Sequence, residues 1–177
     1  HLASSAASDV YKRQVVFDAA NNRVINVNPD NNTITAINAT TGAKLFEKPV
    51  GNDPRTLAIA DNGEIWVTNY DDGSLSVLDS QGNHLQTVKE MSPGAKPYGV
   101  LISPDQQYVY VSVEGGGNVL RYDRAARTKL DTLSVGSTTR AMAMTSDGKT
   151  LLATRFISPE NEAHVYKVDL TNFTLAA

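Results

Sequence analysis

Short apolar runs separated by turn residues recur along the chain from Val15 onward. The pattern is clearest over residues 51–79, GNDPRTLAIADNGEIWVTNYDDGSLSVLD. Leu57, Ala58, Ile59 and Ala60 form one run, and Asp61-Asn62-Gly63 follows as a turn in which glycine can take positive φ without a Cβ clash. Ile65, Trp66, Val67 and Thr68 form a second run, Asp72-Gly73 suits a two-residue hairpin turn, and 75–79 alternates as a third strand. After Gln81-Gly82-Asn83, Leu85 and Val88 stand among polar Gln86, Thr87 and Lys89, as expected of an outer, wetter strand. The runs are short, rich in Val, Ile and Thr, and broken by Gly, Asn, Asp or Pro about every 8–12 residues, so helices are excluded and strands are predicted.

The same pattern repeats. Third strands are predicted to end at Asn38, Asp79, Asp123 and Asp169, and second strands carry Ile25, Trp66, Tyr110 and Leu152. A repeat of about 40–45 residues holding four short strands is the blade of a β-propeller. The fold class is therefore all-β, a propeller with about four incomplete four-stranded blades over approximately 15–53, 54–96, 97–138 and 139–177. The first blade is expected to lack its start and the last its fourth strand, save a partial outer strand over 173–177. Small residues in the first strands, Ala58, Ala60, Gly99, Ala141 and Ala143, fit strands crowded around a central axis. Trp66, Tyr110 and Tyr122 fit the wider wedge between neighbouring sheets.

Composition narrows the function classes only a little. The chain has 177 residues, 41% of them hydrophobic, and a net charge of -3, which gives no electrostatic reason to expect nucleic acid or an anionic membrane as partner. No apolar run is long enough to span a membrane. Without cysteine, disulfides, thiolate catalysis, c-type haem attachment and cysteine-based metal sites are excluded within these residues. Residues 4–14, SSAASDVYKRQ, resemble the in-frame translation of an adapter used in sequencing libraries, with His1-Leu2-Ala3 as its variable index. Residues 1–14 are accordingly expected to contribute nothing to folding, and the remainder is expected to be a fragment of a larger protein.

The segments IWVTNYDDGSLSVLD, SPDQQYVYVSVEGGGNVLRYD and SDGKTLLATR are similar to the YVTN-type β-propeller repeat of bacterial envelope and surface proteins. The resemblance covers essentially all of 15–177. It implies a ring of about seven blades, the missing blades of the same chain as partners, and a periplasmic or cell-surface location. It is specific for fold and weak for function, because related propellers serve as binding scaffolds, surface-layer components, lactonase-like enzymes and redox-enzyme domains.

Most of the chemistry is bland. His84 and His164 stand alone, and no metal or other cofactor is expected. Asp79, Asp123 and Asp169 recur just before the outer turn, where a carboxylate accepts backbone N–H bonds. Gly115-Gly116-Gly117 is a hairpin loop with no helix after it to cradle phosphate. The candidates are residues that break the repeat on the face built from loops 51–55, 91–98 and 136–140 and loops 29–32, 71–73, 115–117 and 157–163. Arg55, Tyr98 and Arg140 occupy equivalent positions at the mouth of the central channel, and Arg155 lies near the same rim. These side chains either converge on an anion or are solvated and paired with Asp53, Asp71 or Glu114. The function expected is a non-catalytic scaffold of the bacterial envelope, binding a protein or small anionic ligand at the channel face. The alternative is the propeller part of an enzyme, lactonase-like or periplasmic redox, whose catalytic groups lie outside these residues.

Overall fold

In a computed structural model, residues 14–89, 91–157 and 162–176 are described. Four antiparallel meanders follow one another along the chain. The first contains β1 (Val15–Asp18), β2 (Arg23–Asn28), β3 (Thr33–Asn38) and β4 (Lys44–Pro49), and the second β5 (Pro54–Ile59), β6 (Ile65–Asn69), β7 (Ser74–Leu78) and β8 (His84–Val88). The third contains β9 (Pro97–Ile102), β10 (Tyr108–Val113), β11 (Asn118–Asp123) and β12 (Thr128–Ser134), and the last β13 (Thr139–Met144), β14 (Thr150–Arg155), β15 (Val165–Asp169) and β16 (Thr174–Leu175). These are the four expected propeller blades. The last blade carries only a partial outer strand, as residues 173–177 lead one to expect: β16 is two residues long, with Leu175 paired to Val168 and Thr174 to Asp169. The adapter-like stretch lies outside the described residues except for Gln14. The Gln14 main-chain carbonyl accepts the Val27 N–H at 3.3 Å, and its side-chain carbonyl accepts the Leu57 N–H. Most of the lengthened loop over 157–163 also falls outside the described residues.

Side chains alternate across each sheet, so each blade offers one face to the blade before it and one to the blade after. Ile25, Val27 and Ile34 meet Leu57, Ile65 and Val67 between the first two blades. Trp66, Leu75 and Val77 meet Val109, Val111 and Tyr122 between the second and third. Tyr110 and Val119 meet Leu151, Ala153 and Val168 between the third and fourth. With sheets on both sides, β6 and β7 are buried at every position, whereas β2 alternates. Trp66 and Tyr122 have no exposed surface, which fits aromatic volume filling the wedge. Large apolar residues are exposed mainly on the first and last blades, as at Phe17 (59%) and Val165 (59%).

Two buried hydroxyls join the inner strands. Each inner strand of the last three blades breaks register with its neighbour near its start, which frees a backbone N–H. In the third blade Ser112 Oγ accepts the Gly99 N–H (2.7 Å) and donates to the Arg140 carbonyl of the fourth (2.5 Å). In the second blade Thr68 Oγ1 accepts the Thr56 N–H (3.0 Å) and donates to the Tyr98 carbonyl of the third (2.8 Å). Gly99 is required by this closeness, since a Cβ there would lie 2.6 Å from the Arg140 oxygen.

The loops leading into the inner strands also share a backbone device. Asp53, Lys96 and Thr138 are all left-handed, with φ of 53°, 55° and 57°. Their carbonyls accept the N–H groups of Tyr70 (3.0 Å), Glu114 (3.0 Å) and Phe156 (2.8 Å), the residues that follow each second strand. This repeated bond fixes which side chains stand beside the starts of the inner strands.

Ser112→Ala is expected to lower the unfolding free energy by about 1–3 kcal/mol, because it leaves the buried Gly99 N–H without an acceptor and the Arg140 carbonyl without its donor. Thr68→Val should cost less, because the Thr56 hydroxyl still donates to the Tyr98 carbonyl at 2.6 Å. Urea unfolding of both variants checks the order. Equal losses would contradict this account of the two hydroxyls.

Candidate ligand-binding site

Arg55, Tyr98 and Arg140 are the second residues of β5, β9 and β13, and the structure places them on successive inner strands as the repeat requires. They do not point as bare groups at one spot. Arg55 pairs with Asp53 (2.5 Å) and lies over the Tyr70 ring, 4.8 Å from its centroid. Tyr70 meets Tyr98 edge to face at 6.2 Å. Arg140 lies over the Tyr98 ring (4.9 Å) and over the Phe156 ring (3.3 Å). Glu114 holds Arg140 through two parallel bonds, Nε to Oε2 at 2.8 Å and Nη2 to Oε1 at 3.0 Å. The Tyr70 hydroxyl donates to the same carboxylate at 3.0 Å, and the Lys96 ammonium sits 4.7 Å from the Tyr70 centroid. Cations, rings and acids thus form one connected belt across the second, third and fourth blades. Below it a cavity of about 160 Å³ opens against the inner strands, lined by Thr56, Tyr98, Gly99, Arg140, Ala141 and Met142 among others.

Proton affinities follow from these contacts. Burial alone would raise the Glu114 carboxyl, but the bonds from Arg140 and Tyr70 and the charges of Arg140 and Lys96 outweigh it and hold it below its ordinary value. Burial opposes the charged Arg140, yet Glu114 more than compensates and raises it. Burial, reinforced by the bond to Glu114, raises the Tyr70 phenol.

Arg155 stands apart from the belt. It holds the register position of Asn69 and Val113 on the second strand; its N–H donates to the His164 carbonyl (3.1 Å), and its Nε is buried without a hydrogen-bond partner. Tyr70, Lys96 and Phe156 were not anticipated as members of the site. Their signal was in the repeat: Tyr70, Glu114 and Phe156 are equivalent residues, as are Asp53, Lys96 and Thr138. Elsewhere the repeated polar residues are structural. Asn38, Asp79, Asp123 and Asp169 each accept a backbone N–H of the following turn at 2.7–3.0 Å. His84 contacts Thr87, and His164 contacts Glu162 at 3.1 Å. Among the described residues no three His, Cys, Asp or Glu side chains cluster as metal ligands, and no helix is long and apolar enough to cross a membrane.

No family model matches the chain, and no curated protein matches it. Solved β-propeller structures do. Hydrazine synthase of Kuenenia stuttgartiensis is similar over 98% of this chain and 52% of its own, with 20% identity and a TM-score of 0.84. A putative 6-phosphogluconolactonase of Bacteroides fragilis is similar over 93% of this chain and 52% of its own, with 20% identity and a TM-score of 0.75. For virginiamycin B lyase of Staphylococcus aureus the figures are 90%, 52%, 17% and 0.74. The chain spans about half the length of these proteins, and at such identity the likeness establishes the fold.

Because the Glu114 carboxyl is held below its ordinary value of 4.5, its pairing stabilises the fold above that pH and is lost as pH falls through the lowered value. Glu114→Gln should cost about 1–3 kcal/mol at neutral pH and make stability fall less steeply in acid. Urea midpoints measured across the acid range check this. A variant with the acid limb of the parent would show that Glu114 is unpaired in solution.

Proposed function

We propose that this propeller is a binding scaffold whose channel mouth takes an anionic ligand, with Arg55, Tyr98 and Arg140 as its recognition residues and Arg155 at the rim. One observation carries the reading: equivalent positions on the second and fourth blades bring Arg55 and Arg140 to one aromatic belt, which Lys96 joins from the third, and among the described residues the acids paired with the two arginines there are Asp53 and Glu114. A guanidinium presents a planar fork of donors to a carboxylate or phosphate, and an aromatic surface beside it adds contact area. The YVTN-like segments support a place in the bacterial envelope, periplasmic or at the cell surface. A second reading makes these blades part of an enzyme. It is supported by the names of the structural neighbours, a synthase, a phosphogluconolactonase and a lyase, and it puts the reacting groups in residues other than these.

Titration with a panel of carboxylates, phosphates and acidic peptides tests the scaffold reading. Arg55→Ala or Arg140→Ala, checked for folding, should weaken binding on the order of 10- to 100-fold, the value of a charge-assisted hydrogen bond. Lys129→Ala on the outer strand β12 should leave affinity unchanged. Absence of binding, or binding that survives both arginine substitutions, would overturn the proposal.

A further inference from the structure

Glu114 does more than its place in the blade requires. The fold uses its backbone N–H, which bonds to the Lys96 carbonyl just as Tyr70 and Phe156 bond to Asp53 and Thr138. Those equivalents carry no carboxylate, so the acid is not a condition of building a blade. As a side chain, Glu114 receives what a bound carboxylate would receive. Two parallel N–H groups of Arg140 meet its two oxygens at 2.8 and 3.0 Å, and the Tyr70 hydroxyl adds a third donor at 3.0 Å. The Lys96 charge reaches it as well. The donors are held in place before any ligand arrives. The Arg140 guanidinium lies over the Tyr98 and Phe156 rings, and Tyr70 is braced by Tyr98, Arg55 and Lys96. A guanidinium fork accepts either a carboxylate or a phosphate, but here the fork and the Tyr70 hydroxyl are already spaced around a carboxylate, that of Glu114. The site is also reachable, since the Glu114 side chain keeps 14% of its surface exposed and Phe156 keeps 47%.

We infer that Arg140, Tyr70 and Lys96 form a carboxylate-recognition site that the chain fills with its own Glu114, and that a ligand carboxylate binds there by displacing that side chain. The inference rests on the anion reading above and narrows the ligand from anions in general to carboxylates. It carries a consequence of unusual sign. Glu114 competes with the ligand for the same donors, so removing this acid strengthens binding, whereas removing Arg140 weakens it. The backbone N–H of residue 114 keeps its bond to Lys96 in either case.

The test uses the full chain, as wild type, Glu114→Ala, Glu114→Gln and Glu114→Ala combined with Arg140→Ala. Each is titrated at constant ionic strength with acetate, a capped glutamate peptide and inorganic phosphate. Arginine Nε–H resonances and the thermal midpoint are followed. Glu114→Ala should bind acetate or the peptide at least about 10-fold more tightly than the wild type, with a midpoint raised by acetate and not by chloride. Phosphate should bind more weakly than acetate, and loss of Arg140 should remove the effect. The acetate and peptide arms tell a small acid from a protein side chain, and a gain in either supports the site. Glu114→Gln should show the same direction of change and serves if the alanine variant does not fold. Unchanged affinity in both Glu114 variants, binding undiminished without Arg140, or a preference for phosphate would overturn the inference. If the wild type binds anions with an affinity indifferent to residue 114, the anion reading stands and the displacement fails.

Discussion

The approach of neighbouring inner strands is the constraint on which the rest of this structure depends. Strands crowded around an axis must bring backbone against backbone, and polar groups buried there need partners. Ser112 and Thr68 meet that need by taking the N–H freed at the irregular start of their own inner strand and handing their proton to the next blade's carbonyl. Gly99 leaves the space for it. The cost of leaving such groups unpaired, about 1–3 kcal/mol each, is large against the marginal stability of a domain. Apolar wedges such as Trp66 against Tyr122 hold the sheets together, but the hydroxyls set how one inner strand sits on the next.

The belt of cations and rings inherits its order from that arrangement. The carbonyls that Thr68 and Ser112 engage belong to Tyr98 and Arg140, two of the residues whose side chains build the belt. One residue before each inner strand, a left-handed backbone turns its carbonyl to the end of the second strand and fixes Tyr70, Glu114 and Phe156 beside them. Three repeated positions on three blades thus generate nine side chains in register. Within that set, chemistry is free to vary from blade to blade without disturbing the fold. The belt alternates cation and ring because those choices, unlike the backbone bonds, differ between repeats.

Much of the architecture was legible in the sequence because strand period, turn residues and blade period all agree. The aromatic wedge at Trp66, Tyr110 and Tyr122 and the capping role of Asp79, Asp123 and Asp169 follow from position alone. The short β16 was legible only as a partial outer strand over residues 173–177, since Thr174 and Leu175 give too little alternation to mark a full one. Equivalence of Arg55, Tyr98 and Arg140 was readable from the period, but their partners were only open alternatives. Choosing Asp53 for Arg55 and Glu114 for Arg140 requires rotamers and distances, which periodicity does not contain. Tyr70, Lys96 and Phe156 were overlooked for a related reason: read one at a time, each resembles an ordinary loop residue. Only the shared hydrogen bond to a left-handed residue reveals that Tyr70, Glu114 and Phe156 occupy one position.

At the centre of this account is the claim that a single carboxylate, Glu114, ties the second, third and fourth blades into one unit through Tyr70 and Arg140. A double-mutant cycle between Tyr70→Phe and Arg140→Ala addresses it most directly, because these side chains touch Glu114 from different blades. Unfolding free energies of the two single variants and the double variant should depart from additivity by about 0.5–3 kcal/mol, the range for groups sharing one network. Additive losses would mean that Glu114 serves each neighbour separately and that the belt is not a connected structure.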